Sequence, residues 1–238
     1  MGISVFFPAF NDASIIGSLI QQAAALLPTL TDDYEVIVIN DGSTDSTAEV
    51  VAQLARETPN VRLISHNENK GYGAALRSGF LHASKDLVFY TDGDGQYDLQ
   101  ELSSLLPRMT ADCHVVNGYK IKRADALHRV VLGSLYNTLV RFLFSLPTRD
   151  IDCDFRLIRR SALEEIQLFS SSGVVCVELI RKLHAGGCVF AEIPVHHYQR
   201  RYGKSQFFTL RGVVKTVYDL AALWINLVVL RRNGRSRR

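Results

Sequence analysis

Short runs of β-branched and aromatic residues alternate with amphipathic stretches through the first half of this 238-residue chain. The alternation predicts a parallel sheet with crossover helices, because parallel neighbouring strands need a long connection between them. The strands are predicted near residues 3–7, 35–39, 61–65, 87–91 and 114–118, and the helices near 13–27, 46–57, 72–83 and 99–108.

The alternation weakens in the second half of the chain. There we predict a long helix over 125–145, a loop over 147–156, a helix around 174–185, a strand at 189–193 and a terminal helical stretch. No internal repeat or Pro/Gly-rich linker divides the chain. We therefore expect one α/β domain with a sizeable buried core.

The charge of the chain is unevenly divided. Residues 1–198 carry 17 Lys and Arg against 23 Asp and Glu, whereas residues 199–238 carry 10 against 1, so a body of −6 is followed by a tail of +9. A uniformly basic chain would suggest nucleic acid as a partner. Because the body of this chain is acidic, we do not expect it to bind nucleic acid. Instead, only its end is expected to meet a polyanionic surface.

Cysteine usage and hydropathy bear on the compartment. The four cysteines form no C-x-x-C pair, which argues against a zinc site or a disulfide framework and fits a reducing environment. We see no secretory signal, and the longest uncharged apolar run, 220–230, has 11 residues where a membrane span needs about 20. A cytoplasmic location is therefore expected.

Polar clusters follow three of the first four predicted strands, at residues 8–12, 40–45 and 92–98. Each cluster alone could serve turns and helix caps, but ligands bind open α/β sheets at the edge where the carboxyl ends of the strands meet. Asp92 and Asp94 are the sharpest case, because an Asp-x-Asp turn can aim two carboxylates at one point. Such oxygen ligands suit Mg²⁺ or Mn²⁺ shared with substrate phosphates, so we predict a metal-held nucleoside diphosphate.

Five segments resemble, in order, the motifs of glycosyltransferase family 2, and within it the polyprenyl-phosphate or dolichyl-phosphate sugar synthase branch. They are residues 8–12 (P-A-Y-N-E in the family), 40–45 (D-D-G-S-x-D), 91–96 (D-x-D-x-Q), 150–156 (D-x-x-x-G-F-[RK]) and 200–205 (R-x-x-G-x-S). Together they cover residues 5 to about 210. The resemblance implies a GT-A fold, which is a Rossmann-like, mostly parallel sheet flanked by helices.

The chain departs from the family pattern at several positions. Phe10 and Asp12 replace Tyr and Glu, and Asn40 replaces the first Asp of its pair. Asp154 occupies a position where Gly is common, and Gln206 occupies one where mannose-transferring members often carry Lys. The last two departures argue against assigning mannose as the sugar.

The resemblance implies a role for each matched side chain. The residues expected to hold the nucleoside are Pro8, Phe10, Asp12 and Asp41. The residues expected to hold the metal, Mg²⁺ or Mn²⁺, and the diphosphate are Asp92, Asp94 and Gln96. The cations expected to align an acceptor phosphate are Arg200 and Lys204, followed by Lys120 and Arg123. A hydroxyl acceptor would need a carboxylate base, for which Asp150 and Asp152 are available.

The implied activity is inverting, metal-dependent transfer of a sugar from a UDP- or GDP-sugar to a polyprenyl (dolichyl-type) phosphate at the cytosolic membrane face. Two alternatives remain open. One is a peripheral or soluble family 2 enzyme that acts on a glycan or another hydroxyl acceptor in cell-envelope polysaccharide synthesis. The other is a non-catalytic nucleotide-sugar-binding subunit that recruits a membrane-protein partner.

The terminal segment has the composition of a membrane-interface helix. A broad apolar face from residue 207 onward includes Trp224 and precedes five arginines. Packing of this helix on the body is the alternative. The expected division is a GT-A domain over 1–206, with a nucleotide-sugar half (1–120) and an acceptor half (121–206), followed by an interface helix and basic tail (207–238).

Overall fold

A computed structural model of the protein describes residues 1–123, 127–199 and 210–230. The strands are β1 (Ile3–Ala9), β2 (Tyr34–Asn40), β3 (Val61–Ser65), β4 (Leu87–Thr91), β5 (Val115–Arg123), β6 (Phe155–Arg159) and β7 (Phe190–His197). The α-helices are α1 (Ile16–Leu26), α2 (Thr47–Glu57), α3 (Tyr72–His82), α4 (Leu102–Leu105), α5 (Leu127–Phe144), α6 (Arg160–Glu164), α7 (Val175–Ala185) and α8 (Leu210–Trp224), and a π-helical turn, Ile225–Val229, follows α8.

The seven strands form one sheet in the order β3-β2-β1-β4-β6-β5-β7. All neighbours are parallel except β6, which runs antiparallel to both β4 and β5. The predicted mostly parallel sheet is therefore confirmed.

Alternate strand residues fill two cores, one on each face of the sheet. In β1, Val5 and Phe7 pack towards α1 and α2, whereas Phe6 packs towards α3. The 3₁₀ and α-helical turns around α4 cover the first face, and α5, α7 and α8 cover the second. Strands buried on both faces are mostly apolar along their length, which is why β1, β2 and β4 were visible as apolar runs.

Four predicted boundaries differ from the structure. The helix predicted over 99–108 is α4 flanked by two 3₁₀ turns, Leu99–Glu101 and Leu106–Arg108, the second of which contains Pro107 in its first turn. The strand predicted at 114–118 continues to Arg123, and the one at 189–193 continues to His197. The predicted loop at 147–156 contains the start of β6, a strand that was not predicted.

Strand β6 escaped prediction because its sequence, Phe-Arg-Leu-Ile-Arg, is short and has an arginine at a core position. Arg156 is fully buried, and its guanidinium donates to the Asn117 side chain and, at 2.5 Å, to the Ile151 carbonyl. These partners replace the water that a buried arginine would lose. Because β6 is antiparallel, its first residue rather than its last lies at the carboxyl edge of β4.

The terminal helix packs on the body. Leu223 and Leu227 are buried in the second core, the Trp224 indole donates to the Leu143 carbonyl of α5 at 3.0 Å, and Ser172 donates to Asp219 at 2.7 Å. None of the helices in the described ranges is both long and apolar enough to cross a membrane.

Candidate active site

The loop after β4 carries the Asp-x-Asp pair at the carboxyl edge of the sheet. The Asp94 side chain is buried and accepts a hydrogen bond from the Gln96 backbone N–H at 3.1 Å. The loop passes so close to β1 that a Cβ on Gly93 would lie 2.7 Å from the Pro8 carbonyl oxygen, and Gly95 has a φ of +71°. Glycine at both positions therefore lets the two carboxylates emerge from a tight turn.

Asp92 lies beside two other carboxylates. The register of the β4–β6 pair sets Thr91 opposite Phe155, so the residue before β6, Asp154, comes opposite Asp92. Burial raises the pKa of Asp92 well above its usual value, and the negative charges of Asp154 and Asp94 raise it further. Like charges opposite each other across a strand pair repel, so the cluster favours a cation.

Neighbouring donors hold these carboxylates in place. The Tyr72 hydroxyl donates to Asp92 Oδ1 at 2.7 Å, and the positive charge of Lys120 lowers the pKa of Asp92. Arg156 Nη1 donates to Asp154 Oδ1 at 3.2 Å. These contacts offset only part of the combined effect of burial and repulsion, since the pKa of Asp92 stays raised.

The donor set fits a divalent cation. Carboxylate oxygens are the hard ligands that Mg²⁺ and Mn²⁺ prefer. Within the described residues, no group of three or more His, Cys, Asp or Glu side chains is arranged to enclose a metal ion by itself. Mg²⁺ in proteins commonly completes its coordination sphere with water and substrate phosphates.

The raised pKa of Asp92 predicts how stability depends on pH and cation. A group whose pKa is higher in the folded than in the unfolded chain contributes stability below its unfolded pKa, and that stability is lost as the pH rises through its folded pKa. Cation-free protein should therefore lose stability as the pH rises above 3.8, the ordinary value for this carboxyl, and Mn²⁺ should restore it.

The variant that tests this repulsion is Asp92→Asn, which removes the negative charge that Asp154 and Asp94 repel. In EDTA near neutral pH we expect its Tm to rise by about 2 to 4 °C, equivalent to about 1 kcal/mol for a chain of this size. Addition of Mn²⁺ should stabilise the unsubstituted protein more than the variant. Thermal unfolding with and without Mn²⁺ measures both effects, and a lower Tm for the variant in EDTA would contradict the repulsion.

Asp41, at the end of β2, is engaged with the loop before α3. Its Oδ1 accepts from the Lys70 N–H at 3.0 Å and lies 2.6 Å from His66 Nδ1, while its Oδ2 accepts from the Gly71 N–H at 2.9 Å. His66 Nε2 lies 2.8 Å from the Ser78 hydroxyl on α3. The contacts give Asp41 a structural role at the start of α3, and the predicted nucleoside contact stays a prediction.

The residues after β1 form a tight turn next to this loop. Pro8 is buried within β1 opposite Ile39, whereas Phe10 is partly exposed beyond the strand end. Asp12 Oδ2 accepts from the Phe10 N–H at 3.0 Å, and the Asp12 N–H donates to Thr47 at 3.0 Å. The partly exposed Phe10 ring lies at the carboxyl edge expected for a nucleobase.

Asp150 fixes the acceptor-side loop from within. It is buried, with Oδ1 accepting from the Asn137 amide at 3.1 Å and Oδ2 accepting from the Lys120 N–H at 3.3 Å. The Lys120 ammonium donates to the Asp152 carbonyl oxygen at 2.7 Å. The structure therefore ties the loop to α5 and β5, and a role of Asp150 as general base stays a prediction.

Gln96 joins the Asp-x-Asp loop to the end of β7. Its Nε2 donates to the Tyr198 carbonyl at 2.8 Å, and the Tyr198 N–H donates to the Gln96 carbonyl at 2.8 Å. The chain then enters residues 200–209, so the predictions for Arg200 and Lys204 lie outside the described residues, as does the side chain of Arg123.

Two side chains of this edge were given no role from the sequence. They are Tyr72 and His66, which contact Asp92 and Asp41 respectively. The available signal for Tyr72 was its position after Gly71 at the start of a helix that follows a strand. Arg156, which contacts Asp154, is the last residue of the matched segment 150–156, but its partners and those of His66 depend on the tertiary arrangement and leave no local pattern.

Comparison with known proteins assigns the family. The family model described as Glycosyl transferase family 2 matches residues 4–167, more than half of the chain. The chain belongs to glycosyl transferase family 2. Its curated relatives in this family include the undecaprenyl-phosphate 4-deoxy-4-formamido-L-arabinose transferase of Salmonella paratyphi A, 29% identical over 219 residues that cover 92% of this chain and 66% of that protein. The chain thus spans just under two thirds of that relative's length.

Solved structures share the fold of this family 2 chain. Glucosyl-3-phosphoglycerate synthase from Mycobacterium tuberculosis, in complex with Mn²⁺, uridine diphosphate and phosphoglyceric acid, has a TM-score of 0.70 at 20% identity, covering 98% of this chain and 78% of that one. Mannosyl-3-phosphoglycerate synthase from Rubrobacter xylanophilus has a TM-score of 0.72 at 17% identity, covering 100% and 77%. The predicted GT-A fold and family 2 membership are confirmed.

Proposed function

We propose that the protein transfers a sugar from a UDP- or GDP-sugar to a polyprenyl phosphate, with inversion at the anomeric carbon. The observation that carries the proposal is the crowding of Asp92, Asp94 and Asp154 at the carboxyl edge of a family 2 sheet. A divalent cation with a diphosphate would offset these charges. The name of the Salmonella relative, a transferase for undecaprenyl phosphate, supports the class of acceptor.

The reaction needs charge neutralisation at the leaving group more than proton transfer. When bound, Mg²⁺ or Mn²⁺ would neutralise charge on the departing nucleoside diphosphate. We assign Asp92, Asp94 and the amide oxygen of Gln96 to hold it. An acceptor phosphate oxygen forms the new bond to C1 while the C1–O bond to the diphosphate breaks, and the diphosphate keeps the electron pair. Attack from the opposite side inverts C1.

The surroundings of Asp150 favour a phosphate acceptor over a hydroxyl acceptor. A phosphate is already ionised near neutral pH, so no base has to remove a proton from it, whereas a hydroxyl needs a base. Asp150, the first candidate for that base, is buried and accepts hydrogen bonds at both oxygens from Asn137 and Lys120. Such a carboxylate is poorly placed to receive a further proton.

Cations near the site would align the acceptor. The hydrogen bonds between Gln96 and Tyr198 bring the end of β7 beside the Asp-x-Asp loop, immediately before Arg200 in the chain. This supports our assignment of Arg200 and Lys204 to the acceptor phosphate, since Arg offers a bidentate fit to phosphate. Lys120 is assigned a supporting electrostatic role because its charge acts on Asp92.

The test is an assay with labelled UDP- and GDP-sugars, Mn²⁺ and a short polyprenyl phosphate. Label that becomes extractable into organic solvent supports the proposal. Label in a water-soluble glycan would support the hydroxyl-acceptor alternative instead, and donor binding without turnover would support a non-catalytic binding subunit. Comparing UDP- with GDP-sugars in the same assay identifies the donor class.

We further propose that the protein attaches peripherally to the cytosolic face of an anionic membrane. Among the described side chains, ten large apolar ones are exposed on two helices that meet where Trp224 contacts Leu143. On α5 they are Leu135, Leu139, Phe142 and Leu143, and along α8 and the residues after it they are Val214, Val217, Tyr218, Ile225, Val229 and Leu230. An apolar face with adjacent basic residues is typical of interfacial helices.

Polar substitutions on this exposed apolar surface of α5 and α8 should weaken membrane binding without lowering stability. Phe142 is 84% exposed and Ile225 is 49% exposed, so the double variant Phe142→Asn, Ile225→Asn should fold normally. Each removed apolar contact should weaken liposome binding, by roughly 10-fold or more together. Cosedimentation with anionic liposomes measures this, and Leu81→Asn, at an 80% exposed site on α3, is the matched control.

The arginine tail gives a separate electrostatic readout. Removal of residues 231–238, which lie outside the described residues, should weaken liposome binding most at low salt and leave nucleotide binding unchanged. Unchanged membrane binding would mean that the tail is only solubilising. We retain residues 1–120, 121–206 and 207–238 as the proposed nucleotide-sugar half, acceptor half and membrane segment.

A further inference from the structure

Asp92 depends on one neighbour for its orientation. Within the described residues, the Tyr72 hydroxyl is the only hydrogen-bond donor that contacts it, at 2.7 Å from Oδ1. Asp154 comes opposite Asp92 across the β4–β6 pair and repels it. The positive charge of Lys120 also acts on Asp92, but the Tyr72 hydroxyl makes the described hydrogen bond that fixes the direction of the Asp92 carboxylate.

The backbone that carries Tyr72 is held firmly on both sides. Asp41 accepts from the Gly71 N–H, as described above. On the other side the Gly73 N–H donates to the Ser171 carbonyl at 2.9 Å, and a Cβ on Gly73 would lie only 2.1 Å from the Ser170 carbonyl oxygen. The first turn of α3 is therefore packed too closely to shift, so the backbone position of Tyr72 is fixed.

The Tyr72 ring and hydroxyl do different things. The ring packs against the second core, while the hydroxyl makes the polar contact to Asp92. A tyrosine hydroxyl carries its proton near neutral pH, so it serves as a donor to Asp92. Removing the oxygen alone therefore separates the two contributions.

We propose that Tyr72 is a positioning residue that orients Asp92 for the cation and diphosphate. The proposal rests on the proposed function, because it assigns Tyr72 to the cation site described there. Residues that orient a metal ligand by hydrogen bonding typically change metal affinity by 10- to 100-fold when they are removed. The contacts among Asp41, His66 and Ser78 act on Asp92 only indirectly, because they fix the turn that carries Tyr72.

The test is a titration of the full chain with Mn²⁺ in the presence of UDP, in which electron paramagnetic resonance measures the concentration of free Mn²⁺. The variant is Tyr72→Phe, which keeps the packed ring. We expect the Kd for Mn²⁺ to rise roughly 10-fold, with unchanged UDP binding in EDTA and a Tm in EDTA lowered by no more than about 2 to 4 °C, the effect of one lost hydrogen bond. Tyr34→Phe, at the start of β2 and so at the opposite edge of the sheet, is the matched control and should leave all three quantities unchanged.

Each other outcome overturns a different statement. If the unsubstituted protein binds no Mn²⁺ with UDP, the cation site of the proposed function fails. If it binds Mn²⁺ and Tyr72→Phe binds it equally well, the positioning role fails while the proposed function stands. If Tyr72→Phe lowers Tm and UDP binding together with Mn²⁺ affinity, the hydroxyl serves general stability and the positioning role also fails.

Discussion

Replacing Asp94 with Asn is expected to lower kcat/KM for the proposed sugar transfer by about 10²- to 10³-fold while leaving the fold intact. Asp94 is buried at the end of β4, and its carboxylate accepts from the Gln96 N–H. The amide oxygen of Asn can still accept that bond, so the loop should keep its shape. The lost charge should weaken the hold on a cation and on the charge that develops on the diphosphate.

The matched control is Asp98→Asn, four residues further along the same segment. The Asp98 side chain accepts from the Gln100 N–H at 3.0 Å and caps the 3₁₀ turn Leu99–Glu101, and Asn caps such turns nearly as well. Transfer by this variant should stay within about two-fold of the unsubstituted protein. Equal losses in both variants would show that general acidity of the segment matters, rather than the carboxylate of Asp94.

The first half of the fold could be predicted because most of its strands are buried on both faces. The apolar runs that became β1, β2 and β4 are followed by polar turns and amphipathic helices, and each signal is local. Strand β6 could not be predicted in this way, because its second residue, Arg156, is hydrogen-bonded to Asn117 and the Ile151 carbonyl, both brought there by tertiary structure. A local pattern assigns such an arginine to a loop.

In the site, too, features with a local sequence signal could be predicted, whereas features that depend on tertiary structure could not. Asp92 and Asp94 could be placed at the carboxyl edge from their position after an apolar strand. The partners of these residues could not, because they come from distant segments: Tyr72 contacts Asp92, and Asp154 approaches it only because β6 is antiparallel. Residue types thus indicated a cation site, while the pairing of the unpredicted strand β6 with β4 brought a third carboxylate, Asp154, opposite Asp92.

Replacing Lys182 with Met is expected to destabilise the protein by about 3 to 5 kcal/mol. Lys182 and Glu178 form a buried ion pair on α7, with 2.5 Å between Nζ and Oε1 and side chains that are 1% exposed. Glu178 also accepts from the Ser170 N–H at 2.8 Å, and Lys182 donates to the Gln167 carbonyl at 2.5 Å. Without Lys182, the Glu178 carboxylate would remain buried with its charge uncompensated.

The pair supports the site through the loop at 167–171. Ser170 and Ser171 of this loop contact the first two turns of α3 through Arg77 and Gly73, next to Tyr72. Neutralising both members of the pair, in Lys182→Met with Glu178→Gln, should recover much of the stability, because no isolated charge is left and Gln can still accept from the Ser170 N–H. Denaturant unfolding of the single and double variants measures this coupling.

The pH dependence of stability should reverse its sign in the single variant. Burial alone raises the pKa of Glu178, but hydrogen bonds from Lys182 and Ser170 lower it below its ordinary value of 4.5. Its stabilising contribution is therefore present above pH 4.5 and lost as the pH falls through the lowered pKa. Without Lys182, burial should raise that pKa instead, so Lys182→Met should lose stability as the pH rises from about 5 to 8. If its unfolding free energy relative to the unsubstituted protein is the same at both ends of that range, Glu178 does not carry an uncompensated charge, and the loss must come from packing alone.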